Sequence, residues 1–342
     1  MGDKGQTAIK VIIVIGVIAA GILTLFASGF RSSIQPRETE RVRLQQHLNY
    51  SSFNQTRAMD DIRLMEQIGP RPSGSNSLDE LRGYLLNTLQ ENGLSTRIYS
   101  FPLKASEPES TDSTDVAEGV NIVGIVEGTK PGIILIGVHY DTKLRTTINY
   151  TGANQSASGT AWLLEFARTI GSSREGRTIW LAWFDGHEST DESVTIPHLT
   201  GSTHFVEHLK QNDQLYMVHA MIYVGQIGDC YLNISKDEGA PEWLWSLFEE
   251  TAFRLGYQRH FNNRRQGFLG DFKAFREADI PAMALVDFVY GGSILNHSKF
   301  WHTEEDTIDK LCGDSLRAVA DVFFHTLPAL DAQLDVQHGD SL

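Results

Sequence analysis

Thr178-Ile179-Trp180-Leu181-Ala182-Trp183-Phe184-Asp185-Gly186-His187-Glu188 is the stretch on which the fold turns. Its first seven residues are short, apolar and aromatic-rich, the pattern of a strand buried on both faces. The run then breaks into a carboxylate, a glycine, an imidazole and a second carboxylate. Ile133-Ile134-Leu135-Ile136-Gly137-Val138 repeats the pattern and ends in His139-Tyr140-Asp141. In open α/β sheets, ligands bind at the carboxyl ends of the strands. Two buried strands ending in histidine and acid therefore point to a metal or acid–base centre at that edge.

The same pattern extends outward. Ser77-Leu78-Asp79-Glu80 is a capping box and predicts a helix running to Gly93, a residue suited to a helix stop. A strand is expected over Thr96–Leu103 and an acidic, Ser-rich surface loop over Ala105–Gly119. Strands over Asn121–Val126 and Gly132–Val138 precede a helix over Ala157–Ile170. After Phe184 come a helix over Ser202–Gln211, a buried strand over Met217–Ile227 and a helix over Pro241–Leu255. A last strand over Ala282–Phe288 and a helix over Ser315–Asp331 close the series. Strands alternating with helices predict a three-layer αβα fold around a mostly parallel sheet.

The chain has 342 residues, of which 43 are acidic and 29 basic, for a net charge of −14. That balance, with no basic run interleaved with aromatics, excludes a nucleic-acid-binding surface. Val11–Phe30 is an uncharged stretch of 20 residues, the length of a membrane-spanning helix and longer than the core of a signal peptide. Lys4 and Lys10 precede it, while Arg31, Arg37, Arg41 and Arg43 follow. The positive-inside rule alone would hold the domain on the cytoplasmic side. A short basic N-terminus before an apolar core is instead the pattern of an export signal, and a single-pass anchor with an extracytoplasmic domain is expected. The layout is a tail over 1–10, a transmembrane anchor over 11–30, a stalk over 31–55, an α/β domain over 56–334 and a tail over 335–342. Cys230 and Cys312 are either one disulfide or two buried thiols.

Two further patches carry chemistry. Thr151-Gly152-Ala153-Asn154-Gln155-Ser156-Ala157-Ser158-Gly159 is a small-residue loop that lets backbone approach a ligand. Trp301-His302-Thr303-Glu304-Glu305-Asp306-Thr307 lies just before the last helix, and Thr303–Asp306 reads as its cap. The four patches, in this order, resemble the zinc aminopeptidase and glutaminyl-peptide cyclotransferase family from roughly Met59 to Leu330. The likeness extends to Gly201-Ser202, Met221–Asp229 and Ile280-Pro281-Ala282.

The resemblance implies a phosphorylase/hydrolase-like α/β fold and a zinc centre. In that family one zinc is held by a His, a bridging Asp and a second Asp, the other by the same bridging Asp, a Glu and a His. Carried over, His139, Glu188 and His302 match. The bridging Asp falls on Gln155, the second Asp on Gly225, and the general-base Glu on His187. A neutral amide cannot supply the charge of a carboxylate bridging two zinc ions, and glycine supplies no ligand at all. Asp229 lies four residues along the strand from 225, about 13 Å away, and cannot stand in. The cyclotransferase branch, with one zinc, leaves the set Gln155, Glu188 and His302, and Trp301 also resembles that branch. Asp271 matches a position tied to polar contacts in the family's active site, while Phe272 replaces a histidine. Asp141 and Asp185 read as groups that cap loops and orient their neighbours.

The resemblance therefore implies at most one weakly held zinc. The expected function is a catalytically degenerate domain that binds a peptide or protein N-terminus. The alternative is a mononuclear zinc enzyme acting on peptide N-termini, with His187 as a non-standard base. Asp191 and Glu192, in the loop after Glu188, are the residues that could supply a substitute carboxylate.

Overall fold

The computed structural model describes residues 52–103, 117–194, 196–291 and 299–339, and Ser52–Leu342 forms one compact unit. The expected anchor over 11–30, the stalk as far as residue 51 and residues 105–116 of the acidic loop lie outside the described residues. Among the described residues, no helix is long and apolar enough to cross a membrane.

Strand β1 (Ser95–Pro102) is antiparallel to the start of β2 (Glu118–His139). The two strands expected over Asn121–Val126 and Gly132–Val138 are the halves of β2, and β3 (Ser173–Phe184) lies between them. The first half pairs in opposite sense, Ile122 with Trp183 and Val126 with Ile179. The second runs parallel, Ile133 with Thr178 and His139 with Phe184. The sheet continues in parallel through β4 (Val218–Gly225) to β7 (Ala282–Val286). Between the halves, Gly128 passes so close to β3 that a Cβ would lie 2.2 Å from the Thr178 amide nitrogen. Gly132 takes φ +85°, at the point where the pairing register shifts between Lys130 and Ile133. Strands β5 (Ile234–Asp237) and β6 (Phe261–Gln266) form a small separate parallel pair.

Both faces of the sheet are covered, which is why the central strands read as unbroken apolar runs. On one face Trp180, Ala182, Phe184, Met221 and Ala284 pack against Phe205 and Leu209 of one helix and Phe275 of another. Those helices are α4 (Thr200–Gln211) and α6 (Phe272–Arg276), the latter too short to be foreseen. The opposite face carries α3 (Gly159–Ile170), which sits so close that a Cβ on Gly159 would lie 2.7 Å from the Val224 carbonyl. Helix α1 (Gln55–Ile68) packs beside it, with Phe53 against Trp162.

Helix α2 (Asn76–Glu91) starts earlier than the capping box implies. Ser75, in extended conformation, caps the Leu78 amide and takes the role expected of Ser77. Helix α5 (Glu242–Leu255) follows Pro241 as expected, with Trp245 buried and Trp243 at its rim. The last helix, α7 (Gly313–His338), runs past Asp331 because Leu334 continues its buried stripe. Cys230 and Cys312 form a disulfide that ties the loop after β4 to the start of α7.

Candidate functional site

The described sheet brings the expected residues together at its carboxyl edge. His139 ends β2, Gly186 (φ +64°) turns the chain after β3, and His187 and Glu188 follow. Gln155 comes from a buried π-helical turn, Ala153–Ser158, immediately before α3. His302 arrives from the loop before α7 in left-handed conformation, φ 58°, uncommon for a residue other than glycine. His139, Gln155, His187, Glu188 and His302 are all buried, as are Asp141 and Asp271.

Two clusters emerge. In the first, Glu188 Oε1 accepts from Gln155 Nε2 at 2.6 Å and lies 3.0 Å from His302 Nε2. Only the N–H side of the amide is tolerable here, since its oxygen would abut a carboxylate oxygen at that distance. Burial raises the Glu188 pKa, but the His302 hydrogen bond and the charges of His302, His187 and His139 outweigh it and hold the carboxyl well below its usual range. In the second, His187 Nδ1 is 2.7 Å from Asp271 Oδ2. Burial pulls His187 down, and the charge and hydrogen bond of Asp271 more than reverse this, leaving it raised to about 9. The clusters touch through stacked rings, with His139 and His187 centroids 3.9 Å apart.

The loops are fixed by buried carboxylates. Asp141 Oδ2 accepts the Glu188 amide at 2.9 Å, and Asp185 accepts the Val120 amide at 2.9 Å. This is the capping work expected of both. Thr303–Asp306 does not cap the last helix, whose first residue is Gly313. Asp306 instead accepts the Asn154 and Gln155 amides at 2.7 and 3.2 Å and a hydroxyl from Tyr290 at 3.0 Å. Ser158 Oγ donates to the Asn154 carbonyl and accepts from the Ile227 amide, a structural role.

The substitute carboxylates face elsewhere. Asp191 accepts from Ser193, and Glu192 accepts from the Thr146 hydroxyl at 2.5 Å. Their loop is held by the buried Lys143, whose ammonium donates to the Asp191 carbonyl at 2.9 Å and to that of Val194. Asp229 is likewise engaged away from the site, accepting the Tyr231 amide at 3.0 Å.

Donor chemistry decides whether these residues fit the metal centre that the resemblance implies. Both ring nitrogens of His139 already face acceptors, the Gln155 carbonyl at 3.1 Å and the Asp141 carbonyl at 3.1 Å. A Cβ on Gly225 would lie 2.9 Å from the Tyr223 ring, which fills the space of the missing aspartate. A two-metal centre does not fit. For a single ion, Glu188 and His302 are the donors that converge among the described residues; Gln155 turns its N–H to Glu188 and leaves its own buried Oε1 without a partner, whereas a catalytic zinc ordinarily has three protein ligands.

Sequence reading missed Tyr223 and Lys143 and gave Asp306 to the wrong element. Tyr223 was within reach of simple parity: it stands two residues before Gly225 on one strand, hence on the same face.

The sheet, covered on both sides and carrying imidazoles and carboxylates at its carboxyl edge, defines a three-layer α/β domain with a cluster of ionisable groups at the strand ends. Residues 121–327 match peptidase family M28, and the chain belongs to that family. It is 26% identical to Aminopeptidase YwaD of Bacillus subtilis (strain 168) over 211 residues, 59% of this chain but only 42% of that protein. It is 21% identical to the glutaminyl-peptide cyclotransferase of Drosophila melanogaster over 324 residues, 85% of each. Among solved structures, a glutaminyl cyclase from an Acidobacteriales bacterium superposes with a TM-score of 0.72 at 26% identity, covering 82% of this chain and 96% of that one. A Zn-dependent exopeptidase from Parabacteroides distasonis ATCC 8503 shares the fold, with a TM-score of 0.69 at 21% identity over 80% of this chain and 98% of that one.

Proposed function

We propose that this M28 domain is catalytically degenerate, is tethered to a membrane by residues 11–30, and acts by binding a peptide or protein N-terminus in its cleft. The observation that carries this reading is the hydrogen bond from Gln155 Nε2 to Glu188 Oε1, 2.6 Å long, where the family's chemistry calls for two carboxylates sharing a cation. The position of the base adds to it. His187 is turned to Asp271, so its Nδ1 is committed to a buried ion pair. Left to the chain's own residues, the cleft can exclude water, hold a proton on His187 and offer acceptors to a donor group. Glu188 Oε2 and Gln155 Oε1, both buried without a partner, are such acceptors.

The disulfide between Cys230 and Cys312 supports export, because such bonds persist in oxidising compartments. The test is turnover by the full-length chain in detergent, with zinc supplied, on aminoacyl and N-terminal glutaminyl substrates. The expected result is no rate above background together with saturable binding of an unmodified peptide. A second reading, a mononuclear zinc enzyme, draws on the convergence of Gln155, Glu188 and His302. Zinc-dependent turnover abolished by Glu188→Ala would establish it.

A further inference from the structure

Resting on the reading of the cleft as metal-free, we propose that Gln155 alone bars a zinc ion from it. Position 155 is a gate that one carboxylate would open. Glu188 Oε1 is faced by Gln155 Nε2 at 2.6 Å and His302 Nε2 at 3.0 Å, all three side chains being buried. The backbone at 155 is pinned on both sides, its amide donating to Asp306 Oδ2 at 3.2 Å and its carbonyl lying 3.1 Å from His139 Nε2. The backbone from which the Gln155 side chain reaches Glu188 is therefore held by contacts that do not depend on that side chain.

Glutamine satisfies Glu188 with an N–H. Aspartate is shorter by one carbon–carbon bond, about 1.5 Å, and would open the contact toward about 4 Å. Two carboxylates facing across that gap in a buried cleft repel strongly unless a cation lies between them. Two zinc–oxygen bonds of about 2.0–2.2 Å meeting at a tetrahedral angle span roughly 3.4 Å, a separation that carboxylates facing across such a gap can reach. With His302 the set becomes two carboxylates and an imidazole with a fourth position open, a donor set that zinc accepts. Position 225 offers no equivalent route, because the Tyr223 ring stands 2.9 Å from where its Cβ would be.

The test uses full-length wild type, Gln155→Asp, Gln155→Asn and Gly225→Asp in detergent. Each is equilibrated with zinc, challenged with a chelator and analysed for metal. Gln155→Asp is expected to retain one zinc per chain and to lose it when Glu188→Gln is added. Wild type, Gln155→Asn and Gly225→Asp are expected to retain well below one. Because Gln155→Asp can be unstable without metal, its melting temperature is also followed as zinc is added, and a rise absent from Gln155→Asn is expected. If neither wild type nor Gln155→Asp takes zinc by either measure, the gate is overturned while the binding-only reading stands. Tight zinc in wild type overturns both. Zinc in Gln155→Asn overturns the gate, since charge would then not be what matters.

Discussion

His187 and Asp271 are 84 positions apart in the chain yet 2.7 Å apart at the site. The geometry gives their pairing a definite pH signature. Burial disfavours charged His187, and Asp271 over-compensates, so its pKa rises from 6.5 to about 9. Stabilisation from a raised histidine is complete below pH 6.5 and is lost as pH rises through about 9. A shift of that size corresponds to on the order of 3 kcal/mol. Urea unfolding should show Asp271→Asn less stable than wild type by that order near pH 6, with the gap narrowing through pH 9. A gap constant across that range would remove the pair from the account. Much of the site at this scale was legible in sequence, because His139, Glu188 and His302 stand in ordered motifs at strand ends. What was not legible depends on neighbours from other elements. Asp306 serves the turn at Asn154 and Gln155 rather than its own helix, and nothing local to residues 303–306 announces that.

Elements hold the site by close approach and by cross-linking. At Gly201, in the first turn of α4, a Cβ would lie 2.1 Å from the Asp185 carbonyl and 2.5 Å from Asn121 Oδ1. Gly201→Ala must push the helix from the end of β3. It is expected to cost about 1–3 kcal/mol, the usual range for overpacking, measured by denaturant unfolding. The disulfide joins residues 82 positions apart, and the Cys312 amide donates to the Gly228 carbonyl at 2.9 Å beside it. Closing a loop of that length stabilises by about 4.5 kcal/mol in the chain-entropy treatment. Replacing both cysteines by alanine should lower unfolding stability by about 2–5 kcal/mol, and an unchanged midpoint would refute that ledger. The strands of the main sheet and helices α2 to α5 and α7 followed from apolar periodicity, whereas α1, the short α6 and the β5–β6 pair were not expected. The joining of two expected strands into one β2 did not, because it depends on pairing along both edges of β3.

For the whole molecule, a net charge of −14, a disulfide-tied α/β domain and an uncharged stretch at 11–30 are what support the proposed tethered binding module. The full chain should sediment with membranes and resist alkaline extraction. In a sealed cell the domain should be open to protease added from outside. Protection from that protease would place the domain on the cytoplasmic side and reverse the orientation. The α/β class was legible because buried strands must alternate with the helices that cover them. What the sequence offered at this scale was a contrast, between the zinc centre that the resemblance implies and a chain with an amide at position 155 and no side chain at 225. Zinc stoichiometry and affinity of the wild-type chain, by metal analysis under chelator competition, test that contrast most directly. The account predicts no specifically held zinc and no change on substituting Glu188 or His302. One tightly held zinc per chain, lost with either substitution, would contradict it.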